Sequence, residues 1–252
     1  MRYRRTTMLR SSLNQQTDRV ENHNTALREF SASNYSFCKP LFEFCGYSFT
    51  PVIEGIDRVN TFKLRAEIYD NEFGWANSSG NVEQDEFDNF STHYVVKNPD
   101  GETIATIRTT DHSFNWMAEK CFDGLFLGSA KSVKDAYTNE ASRLCIKKKY
   151  RNSKITDNVS VLDFLLAGLL FYNNLRGVEN TYIITFAIMY KMLARRGMVI
   201  DSNSETITMA DGCKLRAFII NNRASLHTFK PLVAVYNPTQ QNVKVLGGQS
   251  YY

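Results

Sequence analysis

The chain has 252 residues, 43% of them hydrophobic, which is enough for one sizeable core, and 30 Lys and Arg against 26 Asp and Glu leave a formal charge of +4. That excess is too small and too evenly spread to mark a nucleic-acid binder. Five cysteines without paired metal spacing and four isolated histidines give no metal site and read as reduced thiols in a cytoplasm.

The first thirty or so residues are polar and charged, without the apolar stretch of a signal peptide. Residues 1–50 are therefore expected to be an extension, loosely ordered or locally helical, outside the core. From Ile53 onward Ile56, Val59, Phe62, Ala66 and Tyr69 recur at steps of three and four, the pattern of an amphipathic helix that puts Arg65 and Tyr69 on one face. "FGWANSSGNVEQDEFDNF" is a long polar loop ending in the acids Glu83, Asp85, Glu86 and Asp88. "THYVVKNPDGETIATIRTT" predicts a hairpin turning at Asn98-Pro99-Asp100-Gly101, with Arg108 near the end of its second strand.

"NWMAEKCFDGLF" reads as a short helix or irregular segment and "YTNEASRLCI" as a strand. The run Val161 to Leu175 is apolar on most faces, which suits a helix buried in the core. Its greasiest part, "VLDFLLAGLLFY", is 12 residues with Asp163 inside, short of the roughly 20 that span a bilayer, so no stable membrane insertion is expected. "NTYIITF" predicts a strand, "AIMYKMLARRG" a helix closed by Gly197, and "CKLRAFII" a last strand, with residues 231–252 as a tail. The order gives a mixed α/β layer architecture with a central sheet over residues 51–230.

Several of these residues carry chemistry. The crowded acids suit a solvated loop, or a cleft that holds a cation or takes up a proton. Glu140 and Arg143 lie three apart, so a regular strand would point them to opposite faces; they share a site if the strand bulges, and are otherwise a surface ion pair. Trp75 is a packing residue or an aromatic plane for a cation such as a sulfonium. Lys147, Lys148, Lys149 and Arg151 make a solubilising loop, or a grip for phosphate or an acidic carrier protein. No G-x-S-x-G or Walker motif supplies a nucleophile or phosphate loop, which favours direct transfer between two bound substrates.

Taken together, "LRAEIYDNEFGW", "EQDEFDNFSTHYVV", "IATIRTT" and "NEASRLCIKKK" resemble the acyl-homoserine lactone synthases, the LuxI-type enzymes of quorum sensing, over roughly residues 50–200. Arg65, Tyr69, Trp75, Asp85, Asp88, Arg108, Glu140 and Arg143 stand at the family's motif positions, with Tyr69 where Phe is usual. The resemblance implies a fold like the GNAT N-acyltransferases, an α/β/α sandwich with a V-shaped cleft. It implies S-adenosylmethionine as a substrate rather than a bound cofactor, and an acyl chain delivered by acyl carrier protein. In that picture the α-amine attacks the thioester, and the carboxylate then closes the lactone and expels methylthioadenosine. Glu140 is the expected base, with Asp85 and Asp88 as the other acceptors, alone or through water. Asp85, Asp88, Arg108 and Arg143 form an ordering ion-pair network, and Arg65, Tyr69 and Trp75 shape the S-adenosylmethionine pocket. Ile183, Ile184 and Thr185 line the acyl pocket, and Lys147, Lys148, Lys149 and Arg151 dock the carrier. CoA-dependent GNAT enzymes carry a glycine-bearing pyrophosphate turn after this strand, and "KKKYRNSKITDNVS" has no glycine. The competing readings are an N-acyl amino acid synthase that acylates a free amino acid, and a non-catalytic binding domain on the same scaffold.

Overall fold

Alternating apolar residues in the long strands build one broad sheet in the computed structural model, which describes residues 42–52, 54–75, 81–122, 134–203, 206–209, 211–229 and 243–245. All of these fall within the unit Cys38–Tyr252. Among the described residues the strands are β1 (Phe42–Phe44), β2 (Tyr47–Val52), β3 (Ser91–Lys97), β4 (Thr103–Asp111), β5 (Thr138–Ile146), β6 (Lys154–Thr156), β7 (Val159–Ser160), β8 (Asn180–Phe186), β9 (Ile200–Asn203), β10 (Ile207–Thr208), β11 (Lys214–Asn221) and β12 (Val243–Val245). The helices are α1 (Ile56–Ala66), α2 (Met117–Cys121), α3 (Val161–Leu175), α4 (Ala187–Arg195) and α5 (Asn222–Thr228). The main sheet runs β10-β11-β8-β5-β4-β3-β2-β1-β12, with β9 on β11, and β6-β7 form a separate hairpin.

Among the described residues every pairing is antiparallel except β5 with β8. A parallel pair needs a long crossover, and α3 supplies it. Ser160 caps α3, its Oγ accepting from the Asp163 N–H at 3.2 Å while the Asp163 carboxylate accepts from the Ser160 N–H at 3.0 Å. The helix then lies in the core, with Phe164, Leu165, Leu166 and Leu170 all buried. Gly168 is where it meets the sheet most closely: a Cβ there would sit 2.4 Å from the Phe49 ring. Leu193 and Met198 join the core on this face, while Phe62, Leu64 and Ile68 of the α1 side cover the other. The result is the mixed α/β layer architecture expected from the order of elements, in the α/β/α sandwich form that the resemblance implied.

Each predicted element of residues 91–221 is present, and the helix expected from Ile53 begins at Ile56, with Ile53 itself outside the described residues. Tyr69 lies beyond α1, in a π-helical turn, Glu67–Glu72. The N-terminal boundary is different from expectation. Residues 42–50 are not part of an extension outside the core: β1 and β2 belong to the main sheet, Phe49 stacks on Tyr94 at 5.4 Å, and the boundary at residue 50 falls inside β2. Val243–Val245 of the expected tail pairs with β1. Residues 1–41, which carry the rest of the expected extension, lie outside the described residues. Among the described residues no helix is long and apolar enough to cross a membrane.

Candidate active site

The site begins where the sheet parts. β5 and β8 pair from Thr138↔Asn180 to Ala141↔Ile183 and no further, although β5 continues to Ile146 and β8 to Phe186. Beside this point β5 bulges against β4: Arg108 faces Ser142 but Thr106 faces Cys145, so Arg143 and Leu144 together oppose Ile107. Arg143 takes φ +54°, a left-handed conformation that is uncommon for a non-glycine residue. The bulge returns the Arg143 side chain to the face that carries Glu140 and Ser142, where strict alternation would have aimed it at α3. The bulge that a shared site for Glu140 and Arg143 would require is thus in place.

On that face three arginines meet three carboxylates. Arg65 bonds Glu83 and, at 2.6 Å, Asp88; Arg108 bonds Asp85 at 2.5 Å and Asp88 at 2.6 Å; Arg143 bonds Asp85 at 2.7 Å and Glu83 at 3.1 Å. Arg65 and Arg108 are fully buried, which charged groups tolerate only when paired. The Asp-x-x-Asp spacing has a local cause. Asp85 caps the 3₁₀ turn Glu86–Phe90 by accepting from the Phe87 N–H at 3.0 Å, and Asp88 reaches back to the Asp85 N–H at 2.7 Å. The remaining carboxylate oxygens are thereby turned toward the arginines. Burial raises the Asp88 pKa, but the hydrogen bond and charge of Arg65, with Arg108, outweigh it and hold the group at about 2. His93, whose Nε2 lies 3.5 Å from Asp88, is pushed down to about 4 by burial and sits neutral beneath the network.

Glu140 lies on the same face and has a different environment. It is 2% exposed, and its oxygens accept the backbone N–H groups of Met117, at 2.8 Å, and Ala118, at 2.7 Å, which open α2. Burial pushes its pKa up to about 7, against the pull of those two amides and of Arg108. α2 is held in turn by Trp116, buried, with its indole stacked 5.7 Å from Tyr182 and its Nε1–H donated to Asp111 O at 3.2 Å.

A cleft of about 400 Å³ opens between the parted strands. Its mouth is aromatic: Trp75 stacks on Phe73 at 4.5 Å and approaches Phe186 of β8 at 5.5 Å, with Tyr69 beneath at 6.1 Å and the Arg143 guanidinium 5.2 Å over the Tyr69 ring. The π-helical turn delivers these rings, ending in a Trp75 N–H bond to Tyr69 O at 2.7 Å. Its floor is apolar, with Ile107, Leu162, Leu166 and Leu193.

The structure therefore brings Asp85, Asp88, Arg108, Glu140 and Arg143 to one face, and places Tyr69, Trp75, Ile183, Ile184 and Thr185 in the lining of one cleft. Arg65 differs from expectation: it is sealed within the network and, like Asp85, Asp88, Arg108 and Glu140, is not in the cleft lining, which Arg143 alone of the charged face enters. Its spacing to Tyr69 gave them a shared face, but Arg65 meets Glu83 and Asp88 before it can meet a ligand. In the basic loop, Lys147 and Lys149 pair with Glu102 at 2.7 and 3.1 Å, Arg151 pairs with Glu72 at 2.5 Å, and Lys148 is exposed. Glu83, His93 and Met117 were not among the expected site residues; for Glu83 the signal was available in its place among the loop acids.

The autoinducer synthase family model matches residues 53–227. An acyl-homoserine-lactone synthase of Pantoea stewartii subsp. stewartii is 25% identical over 145 residues, covering 54% of this chain and 64% of that protein, so the chain spans less than two thirds of the relative's length. The crystal structure of the AHL synthase LasI is similar at a TM-score of 0.61 and 18% identity, over 84% of this chain and 100% of LasI. BjaI, a CoA-dependent acyl-homoserine lactone synthase solved with SAM and isopentyl-CoA, is similar at a TM-score of 0.59 and 15% identity, over 72% of this chain and 81% of BjaI.

Proposed function

Because the chain belongs to the autoinducer synthase family, we propose that it is an acyl-homoserine lactone synthase that acylates S-adenosylmethionine from an acyl carrier protein in the cytoplasm and releases a quorum-sensing lactone. The observation that carries this reading is the pairing of an isolated buried carboxylate, Glu140, with a neutral arginine–carboxylate network, both at the edge where β5 and β8 separate.

The chemistry follows from those parts. The α-ammonium of the methionyl group gives a proton to Glu140, directly or through water, and a carboxylate with a pKa near neutrality is matched to that task. The freed amine attacks the thioester carbon; the oxyanion is met by β5 amides at the bulge, and the C–S bond breaks to release the carrier thiol. The substrate carboxylate then attacks the γ-carbon, the bond to the sulfonium breaks, and neutral methylthioadenosine leaves. Tyr69 and Trp75 face the sulfonium, to which aromatic rings are attractive. The acyl chain lies along Ile183, Ile184 and Thr185 toward Leu166 and Leu193. Arg65, Arg108, Asp85 and Asp88 hold this arrangement in place, and Arg143 presents a cation at its edge.

Two features favour a carrier protein over CoA. The turn after β5 has no glycine to cradle a pyrophosphate, and the start of α3 is closed by the Asp163 carboxylate, itself paired with Arg196 at 2.6 Å. A helix start so capped is occupied by a carboxylate and its arginine partner, and is not open to a phosphate. The test is incubation of the full chain with S-adenosylmethionine and parallel panels of acyl carrier proteins and acyl-CoAs, with mass spectrometry for lactone and methylthioadenosine. Both products from the carrier panel are the expected result. Lactone from CoA alone would overturn the donor assignment; acylation of free amino acids with no methylthioadenosine would overturn the reaction.

A further inference from the structure

One residue outside the expected set touches both halves of the site. The Met117 backbone N–H donates to Glu140 at 2.8 Å, and its thioether sulfur lies 3.2 Å from Arg143 Nη1 and 3.7 Å from Arg108 Nη2. The first residues of a helix have N–H groups with no partner inside the helix, so the Met117 amide is available to the carboxylate at no cost to α2. The contact to Arg143 is of a different kind. Its Nη2 is taken by Glu83 and Asp85, whereas Nη1 meets a neutral, weakly accepting sulfur. A thioether orients the guanidinium without adding a further negative charge to the two carboxylates that Nη2 already meets.

We propose that Met117 is a positioning residue of this site, holding the Glu140 carboxylate through its amide and aiming the Arg143 guanidinium through its sulfur. The inference rests on the lactone-synthase reading for its bearing on turnover, but the two couplings are properties of the folded chain. The charged and titratable groups that face Glu140 are Arg108 from β4, Tyr182 from β8, and Glu119 and Cys121 from α2 itself. Of these only Arg108 meets the Met117 sulfur, and Met117→Leu removes that contact while keeping the amide, so a shift in the titration of Glu140 that appears in Met117→Pro and not in Met117→Leu reports the Met117 amide.

Two substitutions separate the atoms. Met117→Leu keeps the amide and removes the sulfur. Met117→Pro removes both, and proline is well tolerated at the first position of a helix; Trp116, at ψ 151°, already has the extended backbone that proline requires before it. The measurement is ¹³C NMR titration of glutamate-labelled full-length protein, with the Glu140 signal assigned by its loss in Glu140→Gln. The midpoint should stay in place in Met117→Leu and rise by about one pH unit in Met117→Pro, since a hydrogen bond to the charged form is gone. In turnover, Met117→Leu should raise the KM for S-adenosylmethionine about three- to tenfold with kcat nearly unchanged, and Met117→Pro should also move the acidic limb of the pH profile upward. Equal Glu140 midpoints in the wild type and a folded Met117→Pro would overturn the amide coupling, and an unchanged KM in Met117→Leu would overturn the sulfur's role. Should Met117→Pro not fold, the wild-type protein still decides: the Met117 amide proton must titrate with the Glu140 midpoint, and a flat resonance overturns the proposal. A wild-type chain that shows the titration but forms no lactone would count against the reaction of the preceding section and leave the coupling standing.

Discussion

Asp88 and Glu140 are buried carboxylates on the same face of one sheet, and they are held in opposite states. Asp88 shares its oxygens with Arg65 and Arg108 and is pulled down to about 2 despite its burial. Glu140 has amides for partners, with Arg108 acting only at a distance, and burial pushes it up to about 7. The difference separates two jobs that a list of acidic residues cannot. A carboxylate whose charge is compensated holds structure and has no use for a proton; one whose charge is poorly compensated can exchange a proton near neutral pH.

The largest test of this contrast is to remove a cation from the compensated side. Arg65→Met leaves Glu83 and Asp88 with less positive charge in a buried setting, and the loss should be about 3–5 kcal/mol in a urea unfolding experiment at neutral pH. The pH dependence has a definite sign. Asp88 is depressed in the folded state, so its contribution is present above the unfolded carboxylate range near pH 4 and is lost as pH falls through about 2. His93 acts in the same direction, its share being lost between about pH 6.5 and 4 as the unfolded chain takes up the proton first. If Arg65→Met unfolds like the wild type, the network is not what holds this face together.

Next in size is Glu140→Gln, which should lower kcat by a factor of about 10²–10⁴ with the fold intact. Here the stability sign reverses. Glu140 is raised when folded, so its contribution is fully present below the unfolded value near 4.3 and is lost as pH rises through about 7. The glutamine variant has no such loss, and its stability relative to wild type should improve from pH 5 to pH 9. The wild-type kcat/KM should rise with pH through about 7 as the base loses its proton. Full activity in the glutamine variant, or relative stability independent of pH, would erase the distinction between the two carboxylates.

How much of this was legible in the sequence depends on the range of the interactions. The long helices and strands of residues 91–221 follow from local periodicity, whereas the short strands β6, β7, β9 and β10 were not read from it, and the spacing of Glu140 and Arg143 made a bulge the condition for a shared site. The strands β1 and β2 were missed because their burial comes from elsewhere: Phe49 is core because Gly168, far along the chain, lets α3 approach its ring. Arg65 was placed against a ligand because periodicity gives a face and not a neighbour; the neighbours, Glu83 and Asp88, come from a loop 18 and 23 residues away. Asp85 and Asp88 could have been read further than they were, since Asp-x-x-Asp ahead of an aromatic-rich turn is itself a capping pattern.

The smallest expected effect lies outside the buried face altogether, in the loop after β5. Lys147, Lys149 and Arg151 are already paired with Glu102 and Glu72, so reversing any of them breaks an internal contact as well as any external one. Lys148 is exposed, and Lys148→Glu is therefore the cleaner probe of carrier docking. A solvated charge steers a partner with little effect on stability. The KM for acyl carrier protein should rise about two- to fivefold at low ionic strength, and the gap to wild type should close as salt shortens the reach of the charge. kcat and the KM for S-adenosylmethionine should stay put. A change in kcat would mean that the loop acts on the cleft through Arg151 and Glu72, beside the aromatic mouth, rather than on the donor; no change in either KM would make it a solvated turn, and the contrast between compensated and free charge would then end at the buried face.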